Sequence, residues 1–165
     1  MTRIFLSLIL MFSAGCLNVN IEDEPQINHL GIDDAFHEYV LSFEEAWGHQ
    51  VTNTDIVFVD SIPGMVLADA STSPSGGLIR VDKSKWLVNH WDTAKKVIIW
   101  HELGHAVLLR DHVPQPDDSE APVSIMQPII TVRLVSDFGK DPGPFIDELF
   151  ERQADSAALT WRCFD

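Results

Sequence analysis

Two histidines and a glutamate lie within five residues in the stretch His101-Glu102-Leu103-Gly104-His105. Residues four positions apart share one face of a helix, so both imidazoles can present a nitrogen to a single metal ion. Zinc accepts such nitrogens at roughly 2.0–2.1 Å. Glu102 is rotated away from direct ligation, where it can take a proton from a water molecule at the metal. The spacing therefore predicts a zinc site on a helix, with Glu102 as a catalytic general base.

The residues around this stretch are apolar, which favours a metal site over a surface helix with two solvated histidines. Trp100, Leu103, Ala106 and Val107 predict a buried setting for the segment. A buried carboxylate beside two imidazoles would be costly without a cation.

A catalytic zinc site usually has three protein ligands and one open position. The chain offers three candidates for the third ligand. Asp111 and His112 follow His105 by six and seven residues, and Glu151 lies far downstream. Carboxylates and imidazoles both ligate zinc, so all three stay open at this point.

The elements that position these residues follow from hydropathy patterns. Helical periodicity predicts helices over residues 33–47, 92–109 and 144–161. Short apolar or alternating runs predict strands over 56–59, 65–68 and 78–82. The last of these alternates, which suits a strand with one wet face, and as an edge strand it could pair with an extended peptide.

The zinc stretch and the residues after it resemble the metzincin zinc peptidases. That family's pattern is His-Glu-x-x-His-x-x-Gly-x-x-His or -Asp, followed by a Met-turn below the metal. Ser124-Ile125-Met126-Gln127-Pro128 is similar to such a turn, with Met126 as the hydrophobic floor. The motifs cover residues 101–128, and the order of elements matches over roughly 33–161. Small bacterial lipoproteins with such a helix and a Ser-Ile-Met turn look similar.

The resemblance implies an α+β fold over residues 33–165. This would be a minimal zincin catalytic domain, with a small mixed sheet, a zinc-binding helix and a C-terminal helix. It also implies a zinc-dependent metalloendopeptidase that acts on a protein or peptide substrate.

The family's register places the third ligand at Asp111, but this chain has Leu108 where the family has glycine. Glycine permits the positive φ of the sharp turn that ends the helix. A loop longer by one residue would deliver His112 instead, so His101, His105 and His112 are the predicted ligands. Asp111 remains one alternative, and Glu151 is the other, in a gluzincin-like hydrolase.

The N-terminus predicts an export signal. Arg3 precedes an apolar run of nine residues, Ile4 to Phe12, and small residues then lead to Cys16. This arrangement resembles the bacterial lipobox. Residues 1–15 are therefore a predicted lipoprotein signal peptide, Cys16 a predicted lipidation site and residues 16–32 a tether. The expected location is the bacterial cell envelope, lipid-anchored to a membrane and facing the periplasm or exterior, with plain secretion as the alternative.

Composition narrows the function classes further. The formal net charge is −14 over 165 residues, which argues against a nucleic-acid partner. Some metzincins have a tyrosine after the Met-turn, whereas the single tyrosine here is Tyr39, far upstream. A second hypothesis is therefore a non-catalytic, zinc-stabilised lipoprotein that binds a partner.

Overall fold

The computed structural model describes residues 31–114 and 124–160 of this protein. After a 3-10 turn at Asp34–Phe36, the elements in chain order are α1 His37–Trp47, β1 Thr54–Val59, β2 Ala68–Ser73, β3 Gly76–Asp82, α2 Lys83–Val88, α3 Asp92–Ala106, α4 Val132–Lys140 and α5 Gly143–Thr160. The predicted α+β class is confirmed. The predicted signal peptide, Cys16 and the tether up to residue 30 lie outside the described residues.

The three strands form one mixed sheet in the order β1-β3-β2. The central strand β3 runs parallel to β1 and antiparallel to β2. The prediction that residues 78–82 form a peptide-binding edge is therefore wrong, because both sides of β3 are paired. The strand predicted over 65–68 is also wrong except for Ala68, where β2 begins. β2 is the edge strand beside β3, and its sequence Ala-Asp-Ala-Ser-Thr-Ser lacks the apolar alternation that predicts a strand.

Helix α3 packs between the sheet and helix α1. Ile79 and Val81 of β3 are fully buried, as are Leu103 and Val97 on α3. Trp100 is also buried, and its ring meets Phe43 of α1 edge to face at 5.5 Å. The Trp100 indole Nε1 donates to the Tyr39 carbonyl at 3.1 Å. Burial and this hydrogen bond together fix α3, which carries the His-Glu-x-x-His stretch.

Two short helices, α2 and α4, were not predicted from periodicity, because each is too short for a clear apolar stripe. Local capping explains both. The Asp82 carboxylate accepts from the Lys85 amide at 3.0 Å at the start of α2, and the Thr131 hydroxyl accepts from the Leu134 amide at 3.1 Å at the start of α4. None of the helices in the described part of the chain combines the length and apolar character that a membrane span needs.

Candidate metal centre

Three histidine nitrogens converge at the end of α3. The Nε2 atom of His105 lies 3.1 Å from Nε2 of His101 and 3.1 Å from Nε2 of His112. The Nε2 atoms of His101 and His112 are 3.3 Å apart. These residues form a cluster that could hold a metal ion.

Two of the three rings are oriented by backbone carbonyls. Nδ1 of His101 lies 2.7 Å from the Ile125 carbonyl oxygen, and Nδ1 of His105 lies 2.6 Å from the Arg110 carbonyl oxygen. A carbonyl oxygen only accepts, so each Nδ1 carries the proton and donates it. In a neutral imidazole the Nε2 atom is then a bare lone pair. His101 and His105 therefore aim two acceptors at one point.

Burial keeps these imidazoles neutral. Desolvation lowers the pKa of His101 to about 4, and the charges of His105 and His112 lower it further, against a raising effect of the Ile125 carbonyl. Desolvation also lowers the pKa of His105. Neutral imidazole is the form that ligates a metal.

The spacing of the three nitrogens fits a tetrahedral zinc ion. Ligand nitrogens at about 2.0–2.1 Å from zinc lie roughly 3.3 Å from one another in a tetrahedron. The observed separations of 3.1–3.3 Å are close to that value. Two lone pairs 3.1 Å apart repel unless a cation lies between them, so the arrangement suits a bound cation.

The helix ends in a widened turn that brings His112 into the cluster. The Val107 amide bonds the Leu103 carbonyl in the ordinary α-helical way, and the Leu108 amide bonds the same carbonyl at 3.4 Å. The Arg110 amide then reaches back to the Gly104 carbonyl at 2.9 Å. Leu109 has φ +54° in this turn. The left-handed residue therefore lies one position after Leu108, which the family pattern assigns to glycine.

Arg110 connects this turn to α5. Its guanidinium donates from Nη1 to the carbonyls of Glu148 and Leu149 at 2.9 and 2.8 Å. From Nη2 it donates to Glu148 Oε1 at 2.6 Å. The side chain is almost fully buried. The residue that orients His105 through its carbonyl is thus itself anchored through its side chain.

Met126 packs directly against α3 between the two helical histidines. A Cβ atom built on Gly104 would lie 2.5 Å from Met126 Sδ, so only glycine leaves room for this methionine. Met126 is fully buried, and its amide donates to the Ser124 hydroxyl at 3.0 Å. Its carbonyl accepts from the Val113 amide at 2.9 Å, which ties the segment after His112 to this turn.

Glu102 is buried beside the cluster. Burial raises its pKa to about 7, and the negative charge of Asp69 on β2 raises it further. Asp69 is itself held by Arg80 of β3, with Nη2 of Arg80 2.6 Å from Oδ2 of Asp69. A carboxyl with a pKa near neutrality can both accept and return a proton.

The two alternative third ligands lie elsewhere. Neither Asp111 nor Glu151 belongs to the group of ligand atoms that converge within 4.8 Å in the described residues. Both residues are exposed. Asp111 acts on the cluster only through its charge, which raises the pKa of His105.

An open cleft of about 450 Å³ lies in front of His105 and His112. Its other wall is the edge strand β2. The cleft is lined by Ala70, Ser71, Thr72, His105, Leu109, Arg110, Asp111 and His112. A metal bound by the three histidines would therefore face solvent along a strand edge.

Sequence patterns did not reveal the roles of Arg110, Asp69 and Gly104 in this centre. Gly104 carried a weak indication, as a glycine inside a helix that also carries the zinc motif. Arg110 carried none, because its contact with Glu148 joins positions 38 residues apart.

Comparison with protein-family models, with curated proteins and with solved structures finds no match. The function of this centre therefore has to be inferred from its own residues.

Proposed function

We propose that this protein is a zinc-dependent metalloendopeptidase with a metzincin-like catalytic domain. The observation that carries the proposal is the convergence of three imidazole Nε2 atoms within 3.3 Å beside a buried glutamate. The donor set is all imidazole, which zinc accepts readily. Three protein ligands leave a fourth position open, as in catalytic rather than structural zinc sites.

Zinc bound by His101, His105 and His112 would supply a Lewis acid that polarises a peptide carbonyl and acidifies water. Glu102 then acts as the general base that removes a proton from the attacking water. Its raised pKa lets it pass that proton on to the leaving amine nitrogen. The carbonyls of Ile125 and Arg110 keep the two helical imidazoles oriented throughout.

The substrate would be an extended peptide in the cleft beside β2. An edge strand offers unpaired backbone groups to which a peptide can add as a further strand. Ser71 and Thr72 line the cleft opposite His105 and His112. This places the predicted strand addition on β2 rather than on residues 78–82.

The proposed location is the bacterial cell envelope. The signal-like residues 1–15 and the lipobox-like residues before Cys16 support a lipid anchor followed by a tether up to residue 32.

Metal content is the first test. Elemental analysis of the purified protein should find about one zinc per chain. His112→Ala should lower that content sharply, whereas Asp111→Ala and Glu151→Ala should leave it unchanged. A folded wild-type protein that stays zinc-free after reconstitution would refute the proposal, and loss of zinc in Glu151→Ala would favour the gluzincin-like arrangement.

Hydrolysis is the second test. The zinc-loaded protein should cleave an unstructured test protein, and a chelator should abolish the cleavage. Glu102→Gln should retain zinc and lose cleavage, since the amide cannot accept the proton. Cleavage by Glu102→Gln at the wild-type rate would show that the mechanism is wrong.

A non-catalytic zinc-binding lipoprotein is the second candidate, and one observation favours it. The Tyr39 hydroxyl donates to Asp92 Oδ1 at 2.6 Å, at the opposite end of α3 from His105. The tyrosine that assists some metzincins therefore has no counterpart at this cluster. Stoichiometric zinc without cleavage of any test protein would favour this candidate.

A further inference from the structure

A ridge of apolar side chains projects from the molecule at the start of α3, away from the histidine cluster. Leu87, Val88 and Trp91 are exposed on α2 and on the link to α3. Met65 and Val66 are exposed on the preceding loop. Lys85 joins the two parts, because its Nζ donates to the Val66 carbonyl at 2.8 Å. We call Met65, Val66, Leu87, Val88 and Trp91 the apolar ridge.

Lysines flank the apolar ridge in a protein that is otherwise strongly acidic. The chain has five lysines and a net charge of −14, and four of the lysines lie between residues 83 and 96. Lys83 Nζ lies 5.9 Å from the Phe58 ring centroid, and Lys95 Nζ lies 4.8 Å from that of Trp86. Phe58 and Trp86 are neighbours at 6.3 Å, so the two ammonium groups belong to one surface. The acidic residue within this stretch is Asp92, whose carboxylate accepts from Tyr39.

We propose that the apolar ridge and its lysines form a docking surface for an anionic lipid bilayer. Apolar side chains, a tryptophan and flanking lysines are the composition of surfaces that lie in the membrane interface. Local positive charge on an acidic protein is complementary to anionic headgroups. Lysine is depleted in protein–protein interfaces, which favours a lipid over a protein as the occupant.

Docking through this surface would set the distance of the cleft from the membrane. Trp91 directly precedes α3, and His105 lies at the other end of that helix. At 1.5 Å per residue the separation along the helix axis is about 20 Å. A docked molecule would therefore hold the cleft clear of the headgroups. A lipid at Cys16 would keep the ridge near the bilayer, but docking does not depend on the zinc chemistry.

The test uses the full-length protein reconstituted in vesicles that contain lipids with brominated acyl chains, which quench nearby tryptophan fluorescence. Vesicles with about 30% phosphatidylglycerol should quench a component that Trp91→Phe removes and Trp47→Phe retains. Pure phosphatidylcholine vesicles should quench it about twofold less or weaker still. High salt should reduce the quenching, because it screens the lysines.

Matched variants separate docking from misfolding. Lys83→Glu/Lys95→Glu should lower Trp91 quenching about twofold or more in anionic vesicles, whereas Lys140→Glu, at an exposed lysine of α4, should not. Leu87→Ser/Val88→Ser should also lower it, whereas Val132→Ser should not, although Val132 and Val88 are both 73% exposed. Circular dichroism would verify that each variant is folded.

Two outcomes would overturn the proposal. One is a Trp91 component that brominated lipid does not quench in anionic vesicles, as expected if a protein covers the ridge. The other is quenching that the lysine reversals leave unchanged. Neither result bears on zinc binding or cleavage.

Discussion

His105 and Arg110 hold each other's segments in place across the end of the zinc helix. Nδ1 of His105 donates to the Arg110 carbonyl at 2.6 Å, and the Arg110 guanidinium is buried against α5. The orientation of one proposed ligand thus depends on a side chain that does not touch the metal position.

Replacing Arg110 should weaken metal binding without removing a ligand. Arg110→Ala should lower zinc affinity by roughly 10–100-fold, the usual effect of losing a group that orients a metal ligand. Arg110→Lys should recover only part of it, because an ammonium cannot reproduce the fork on Glu148 and Leu149. Competition with a chromophoric chelator measures the affinity. Arg133→Ala, at a half-exposed arginine, is the control, and an equal loss there would contradict this role of Arg110.

Gly104 and Met126 should show strong coupling. Gly104→Ala should lower the free energy of unfolding by about 1–3 kcal/mol, because the new methyl group would overlap Met126 Sδ. In a Met126→Ala background the same change should be neutral or stabilising, since alanine favours the helix. Denaturant unfolding measures both values. Gly139→Ala, whose Cβ would meet only Thr93 Cγ2 at 3.3 Å and Oγ1 at 3.8 Å, is the matched control. Equal effects in both backgrounds would show that the two residues are not coupled.

The position of the left-handed residue can be tested with two neighbouring glycines. Leu109→Gly should leave stability unchanged or raise it by up to about 1 kcal/mol, because Leu109 is exposed and strained at φ +54°. Leu108→Gly should cost roughly 2–5 kcal/mol, because Leu108 is buried. The reverse order of melting temperatures would place the turn where the family pattern has it.

Asp82 should make the protein sensitive to acid. Hydrogen bonds from Ser84, from the Ile62 and Lys85 amides and from the Lys85 ammonium hold the pKa of Asp82 well below its usual range. A lowered pKa stabilises the fold above the unfolded-state value of about 4. That contribution disappears as pH falls below it. Thermal unfolding of wild type and Asp82→Asn should therefore differ at pH 6 and converge toward about pH 2. A constant difference across this range would exclude Asp82 as the cause.

Local patterns predicted the parts of the centre that lie on one helix. His101, Glu102 and His105 share a helix, so their spacing alone predicts their common face. His112 was favoured over Asp111 by the chemistry of Leu108, and the structure brings His112 into the cluster. The physical reason is the widened turn with Leu109 left-handed.

Long-range pairing could not be predicted in the same way. β2 became an edge strand through backbone pairing with β3, although its side chains carry no strand pattern. Conversely, the alternation in residues 78–82 indicated one wet face but not a free edge, because alternation reports burial rather than the number of neighbours. The Arg110–Glu148 contact likewise depends on how α5 docks.

The composition of β2 has a consequence for solubility. A strand with one unpaired edge is a template for self-association, and apolar edge strands are aggregation sites. β2 reads Ala-Asp-Ala-Ser-Thr-Ser, with its last three residues exposed, so it presents backbone groups with almost no greasy surface. Another copy of the chain would gain little by pairing there. A peptide that also had contacts across the cleft would gain more, so the same six residues discourage fibril-like stacking while leaving the groove open to an extended guest.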